Sequence, residues 1–169
     1  VALAAEGDIV LVKPATYQED VVVDGKSLTL AGDFGLVRLN GSITVRDLAP
    51  AQSVTVSGIE NAVNGVAHFD LFDNLGTVSI RDCSLEHSAL PILPQTILVD
   101  QCNAVLLTEV TVSGGTDPFS DKPGLRAVDS NVHVFDCSIG GGFGYGGLGG
   151  PFPGGPGVLV DGGLFSAQH

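Results

Sequence analysis

The chain is short of bases. Its 169 residues hold 7 Lys and Arg against 19 Asp and Glu, a formal net charge of −12. Nucleic-acid binding needs clustered cations to neutralise phosphates, and attraction to an anionic membrane surface needs a basic patch. The deficit argues against both and leaves cations, neutral glycans or a basic partner as the easier ligands. Long apolar runs are also missing: none approaches the ~20 residues of a membrane-spanning helix. Cysteine is scarce, and its count of 3 is odd. The opening Val1-Ala2-Leu3-Ala4-Ala5 holds no recognisable signal peptide, and its abruptness is that of a chain from which a targeting segment has been removed.

What the chain does have is a repeat. Val78-Ser79-Ile80-Arg81-Asp82-Cys83-Ser84-Leu85, Val105-Leu106-Leu107-Thr108-Glu109-Val110-Thr111-Val112 and Val132-His133-Val134-Phe135-Asp136-Cys137-Ser138-Ile139 align without gaps at a spacing of 27. Each reads apolar-x-apolar, two non-core residues, apolar-x-apolar. A fixed period of this size marks stacked units. The Leu/Asn scaffold of leucine-rich repeats is absent, propeller blades run longer, and no helical period separates the strands. The pattern therefore predicts one all-β domain over residues 1–169, a parallel β-helix of about six coils with three short strands per coil.

The best-defined coil has a first strand at Ile97–Asp100, a second at Ala104–Leu107, a tight corner at Thr108-Glu109 and a third strand at Val110–Val112. A loop from Gly114 to Gly124 leads on to Leu125–Val128. Alternation points Val105, Leu107, Val110 and Val112 inward. Leu28/Leu30, Val54/Val56 and Val78/Ile80 fit earlier coils, and Leu164 aligns with Val132 after a longer insertion. Cys83, Val110 and Cys137 share one inward slot. Two strand spacings separate the two cysteines, too far for a disulfide, so three free thiols are expected. Val1 to Ala5 reads as the tail of a short helix, with residues 1–6 the remnant of a cap. The other end, at Gly163-Leu164-Phe165-Ser166, stops inside a coil. That predicts a fragment of a longer protein, or a strand edge open to end-to-end self-association.

The stretch from Ala4 to Glu19, with Gly7-Asp8, the Val-rich strand at Ile9–Val12 and Pro14-Ala15-Thr16-Tyr17-Gln18-Glu19, resembles the opening of the pectin-lyase-like superfamily, with Ala15 where a glycine is usual. Lys26-Ser27-Leu28-Thr29-Leu30-Ala31-Gly32 is similar to the strand that follows it there. The resemblance implies a right-handed parallel β-helix. It carries over no catalytic residue: the polygalacturonase and methylesterase motifs of that superfamily are not found.

The candidate sites fall into five groups. Asp100, Asp129 and Asp161, with Asp24 as an earlier member, each follow a valine at the end of a first strand. Read as one column of carboxylates, they suit calcium, and the resemblance implies carboxylates near this strand in calcium-dependent lyases; the plainer role is turn hydrogen bonding. Asp82, Glu109 and Asp136 form a second acidic column at the tight corner, read as structural. Arg126 is the one base in the well-defined first strands, either charge-balancing or the proton-abstracting arginine that a lyase resemblance implies. His68, His87, His133 and His169 show no metal-ligand spacing, and His133 should point outward. The loops after the third strand, at 87–96, 114–124 and 140–157, lengthen along the chain. The last is glycine-rich and carries Phe143, Tyr145, Leu148 and Phe152, which can stack on sugar rings or serve only as loop filling. The expectation is a non-catalytic extracellular or cell-surface module (a periplasmic one also fits), serving as scaffold, adhesin or glycan binder. The alternative is a polysaccharide-active enzyme such as a calcium-dependent uronate lyase.

Overall fold

A computed structural model describes residues 3–61, 67–86, 96–113, 123–142 and 155–168. In chain order the strands are β1 (Asp8–Val12), β2 (Ala15–Tyr17), β3 (Val21–Asp24), β4 (Leu28–Gly32), β5 (Val37–Leu39), β6 (Gly41–Arg46), β7 (Ser53–Ser57), β8 (Ile59–Asn61) and β9 (Ala67–Phe72). They continue as β10 (Thr77–Arg81), β11 (Ser84–Glu86), β12 (Ile97–Asp100), β13 (Ala104–Thr108), β14 (Thr111–Ser113), β15 (Leu125–Phe135), β16 (Ser138–Gly140) and β17 (Val158–Gln168). Every strand pairing is parallel. No helix occurs among the described residues, and the helix tail expected near Ala5 is replaced by turns at Leu3 and at Glu6-Gly7.

The strands fall into three ladders. The first runs β3-β6-β9-β12 into the N-terminal half of β15; the second runs β1-β4-β7-β10-β13 into its C-terminal half; the third is β2-β5-β8-β11-β14-β16. β17 extends the first two by pairing along both halves of β15. The result is all-β, a curled stack of parallel strands with the side chains of the concave side packed as one core. In the first ladder, partners Val23, Val45, Leu71, Val99 and Ala127 form an inward column in which every member is fully buried. Fully burying a Val or Leu side chain contributes about 1.5–3 kcal/mol, so a ladder is held mainly by columns of this kind. Cys83 and Val110 are buried and Cys137 half-buried, as their shared slot requires, and all three thiols are free.

The corners depend on one backbone conformation. Between first and second ladders a left-handed residue recurs once per turn of chain: Gly25, Asp47, Asp73, Gln101, Asp129 and Gly162. Between second and third ladders the same role falls to Gly58, Asp82, Glu109 and Asp136. A single left-handed residue turns the chain sharply while its own N–H still reaches the neighbouring coil: Gln101 donates to the Val128 carbonyl (3.0 Å) and Glu109 to that of Phe135 (3.0 Å). Asp tolerates this region better than most residues, and Gly has no penalty there.

Those corners correct two alignments made from sequence. Val132 pairs with Phe165, and Leu164 pairs with Asn131, so Leu164 is 67% exposed rather than part of the core. In the first ladder Asp100 pairs with Val128, which pairs with Asp161. Asp129 is therefore not in that column. It occupies the left-handed corner position beside Gln101 and Gly162. The local text Val-Asp is the same in each strand, but in one case the aspartate ends the strand and in the other it makes the turn.

Candidate functional site

Alternation sends half of the first ladder's side chains to its convex face, where they form three columns. Along one lie Asp20, Ser42 and His68; along the next, Val22, Thr44, Asp70, Leu98, Arg126 and Leu159; along the third, Asp24, Arg46, Phe72, Asp100, Val128 and Asp161. The flanking Leu125 and Ala127 are fully buried, which settles that Arg126 points outward. Each of β9, β12, β15 and β17 follows a third-ladder strand in the chain and begins at one margin of this face; the intervening residues 62–66, 87–95, 114–122 and 143–154 lie outside the described residues. Phe143, Tyr145, Leu148 and Phe152 lie outside the described residues, as do His87 and His169.

The polar groups at this margin are organised by strand register. Ser42 sits opposite His68 on adjacent strands. The Asp20 carboxylate accepts the Ser42 N–H (2.7 Å) and its hydroxyl (2.9 Å). These bonds, the backbone one foremost and with a smaller pull from His68, hold Asp20 below the usual carboxylate range. One alternation further along the strand, His68 Nε2 lies 3.1 Å from Asp70 Oδ2, with both side chains largely buried (18% and 23% exposed). The opposite ring atom, His68 Nδ1, is buried without a hydrogen-bond partner, and so is Arg126 Nε, two strands away in the column of Asp70. Leu98 lies between Asp70 and Arg126 in that column and adds an apolar side chain to the face. Native structures hold few buried unsatisfied polar groups, each costing about 1–3 kcal/mol. Among the described residues both such groups fall on this one face, where hydrogen-bonding capacity is left unused. Further out, Arg46 Nη2 pairs with Asp24 Oδ2 at 2.7 Å while half-exposed, a contact worth little in water.

The other candidates are dispersed. Among the described residues no group of three His, Cys, Asp or Glu side chains is placed to hold a metal. Asp100 and Asp161 are separated in their column by Val128, and Asp129 stands at the corner. The second acidic column is intact: Asp82, Glu109 and Asp136 occupy successive left-handed corners. There a hydrogen bond that the protonated Glu109 carboxyl donates to Asp82, then the charges of Asp82 and Asp136, raise the Glu109 carboxyl above its ordinary range. His133 points outward as expected, its Nδ1 lying 2.7 Å from Ser166 Oγ.

Sequence reading passed over the corner residues that follow each left-handed position. Leu48, Asn74, Cys102 and Ser130 form a buried column there. Asn74 Nδ2 donates to the Val45 carbonyl (2.9 Å) and to Cys102 Sγ (3.4 Å), and its Oδ1 accepts the Leu48 N–H (3.3 Å). Ser130 Oγ accepts the Cys102 N–H (2.9 Å) and donates to the Val128 carbonyl (2.6 Å). Burial pushes the Cys102 thiol up and the Cys83 thiol up to about 11, so neither is poised as a nucleophile. No protein family, curated protein or solved structure matches the chain.

Proposed function

We propose that the chain folds as a right-handed parallel β-helix of the pectin-lyase-like kind and serves outside the cytoplasm, in the extracellular space or at the cell surface, as a non-catalytic module that binds glycan on the convex face of its first ladder. One observation carries this reading: the unused buried capacity of His68 Nδ1 and Arg126 Nε on one face, with Leu98 next to Arg126 in its column. An acceptor or donor edge, a guanidinium and an apolar floor are what a sugar ring requires, since it presents hydroxyls at its edge and C–H groups on its face. The net charge of −12 adds that the ligand is neutral or is held locally by Arg126 against the general field.

Glycan-array screening followed by calorimetry on the best hit tests the reading. Wild type should bind, and Arg126→Ala and His68→Ala should each weaken binding at least tenfold while leaving the thermal transition intact. Binding unaffected by both substitutions would move the site elsewhere. The enzymatic alternative has its own support in the outward Arg126, near Asp70 and Asp100 on the same face. It predicts an ultraviolet-absorbing unsaturated product from acidic polysaccharides that disappears with Arg126→Ala, and such turnover would replace the non-catalytic reading.

A further inference from the structure

We infer that the glycan held on this face carries an unacylated amine, seated beside His68, Asp20 and Asp70; this rests on the glycan reading and names its class of sugar.

The position of one proton decides the chemistry. His68 Nε2 lies 3.1 Å from Asp70 Oδ2. A carboxylate only accepts, so in the neutral ring the proton sits on Nε2 and Nδ1 keeps its lone pair. That Nδ1 is buried without a hydrogen-bond partner. Asp70 is thus a positioning residue: it leaves His68 as an acceptor to which the protein supplies no donor. Ser42 stands opposite His68 on the adjacent strand. Its N–H and its hydroxyl both donate to Asp20 Oδ1, at 2.7 and 2.9 Å. They fix a second carboxylate close enough for His68 to pull on its charge.

Electrostatics then choose among donors. Among the described residues neither Asp20 nor Asp70 forms an ion pair with a lysine or arginine. Of the other bases on the convex face, Arg46 is taken up by Asp24 at 2.7 Å. Arg126 stands two strands from Asp70, about 10 Å at the usual strand spacing. A ligand carboxylate would meet two like charges and a lone pair. A hydroxyl would satisfy Nδ1 without answering the charge. A protonated amine does both: an N–H donates to Nδ1, and its charge offsets Asp20 and Asp70 in a contact stronger than a neutral one. Acetylation removes that charge. The net charge of −12 draws such a ligand in instead of opposing it. Arg126 Nε, the other unpartnered buried group, is left for a hydroxyl oxygen further along an otherwise neutral glycan. At about 10 Å its charge is roughly one screening length from the amine at physiological salt.

Calorimetry of the whole chain at neutral pH tests this with three oligosaccharides of one linkage and length: a glucosamine oligomer, its N-acetylated form and the corresponding glucose oligomer. The glucosamine oligomer should bind roughly tenfold or more tighter than the other two, with a margin that shrinks as salt rises. Asp70→Asn should abolish the margin. Asp161→Asn removes the same charge from another column of the face and should keep it. Both variants should retain the wild-type circular dichroism spectrum, and the wild-type comparison decides alone if Asp70→Asn does not fold. Equal affinities for the three oligomers overturn the inference and leave the glycan reading in place. So does a margin that survives Asp70→Asn, one lost equally in Asp161→Asn, or a chain that binds none of the three yet takes another glycan from an array. Failure to bind any glycan overturns both.

Discussion

Replacing Asn74 by leucine isolates what the buried polar column contributes. Leu48 occupies the equivalent corner one coil earlier at 1% exposure, so the slot admits a leucine and the substitution removes hydrogen bonds more than it disturbs packing. Three contacts go: those to the Val45 carbonyl, to Cys102 Sγ and from the Leu48 N–H. Two are to backbone groups, and a buried backbone group deprived of its partner costs about 1–3 kcal/mol. Greater apolarity of leucine offsets part of this, leaving a net loss of about 3 kcal/mol. In a domain of this length that corresponds to a fall in Tm of about 6–12 °C. Calorimetry at neutral pH measures it, with Asn103→Ala as control, because Asn103 makes its contact to the Leu75 carbonyl on the exposed surface and should change stability by under about 0.5 kcal/mol. An Asn74→Leu variant as stable as wild type would refute the claim that this column ties successive coils together.

The remaining predictions concern corners, charge and thiols. Gln101 is held at φ 52°, so Gln101→Gly should be neutral or mildly stabilising and Gln101→Val should cost about 1–2 kcal/mol or more, read from urea midpoints. The Glu109 carboxyl is raised by Asp82 and Asp136, so the folded state holds its proton to higher pH than the unfolded chain. Its repulsive contribution is therefore present at neutral pH and is relieved as pH falls through the folded value. Glu109→Gln should accordingly be the more stable protein at pH 7, with the difference shrinking in mild acid; equal pH profiles would contradict this. At pH 8 a thiol reagent should modify half-buried Cys137 first, and reach Cys83 and Cys102 only after denaturant is added.

The strands were readable from sequence because alternation, period and burial report the same fact. Val78/Ile80, Val105/Leu107 and Val132/Val134 are paired as the 27-residue spacing implies, and the outward direction of His133 follows from its neighbours. The corners were less readable. A left-handed residue leaves little trace when it is Asp, Gln or Glu rather than Gly, and that is why the local text groups Asp129 with Asp100 and sets Leu164 one residue out of register. The candidate site was harder still. Arg126 is visible as a rare base. His68 and Asp70 have the i, i+2 spacing that shares a strand face, but Ala67–Phe72 lies outside the 27-residue repeat, so nothing in the pattern marks it as a first-ladder strand or brings it into register with Arg126. Asn74 escaped because a buried asparagine after an aspartate reads in sequence as ordinary turn composition.

Amide chemical-shift mapping during titration with the best glycan hit probes the account at its centre. The proposed function predicts shifts confined to the first ladder, in β6, β9, β12 and residues 125–128 of β15, with Asp70, Leu98 and Arg126 among the largest. Shifts centred on the second or third ladder, or none at saturating glycan, would contradict it.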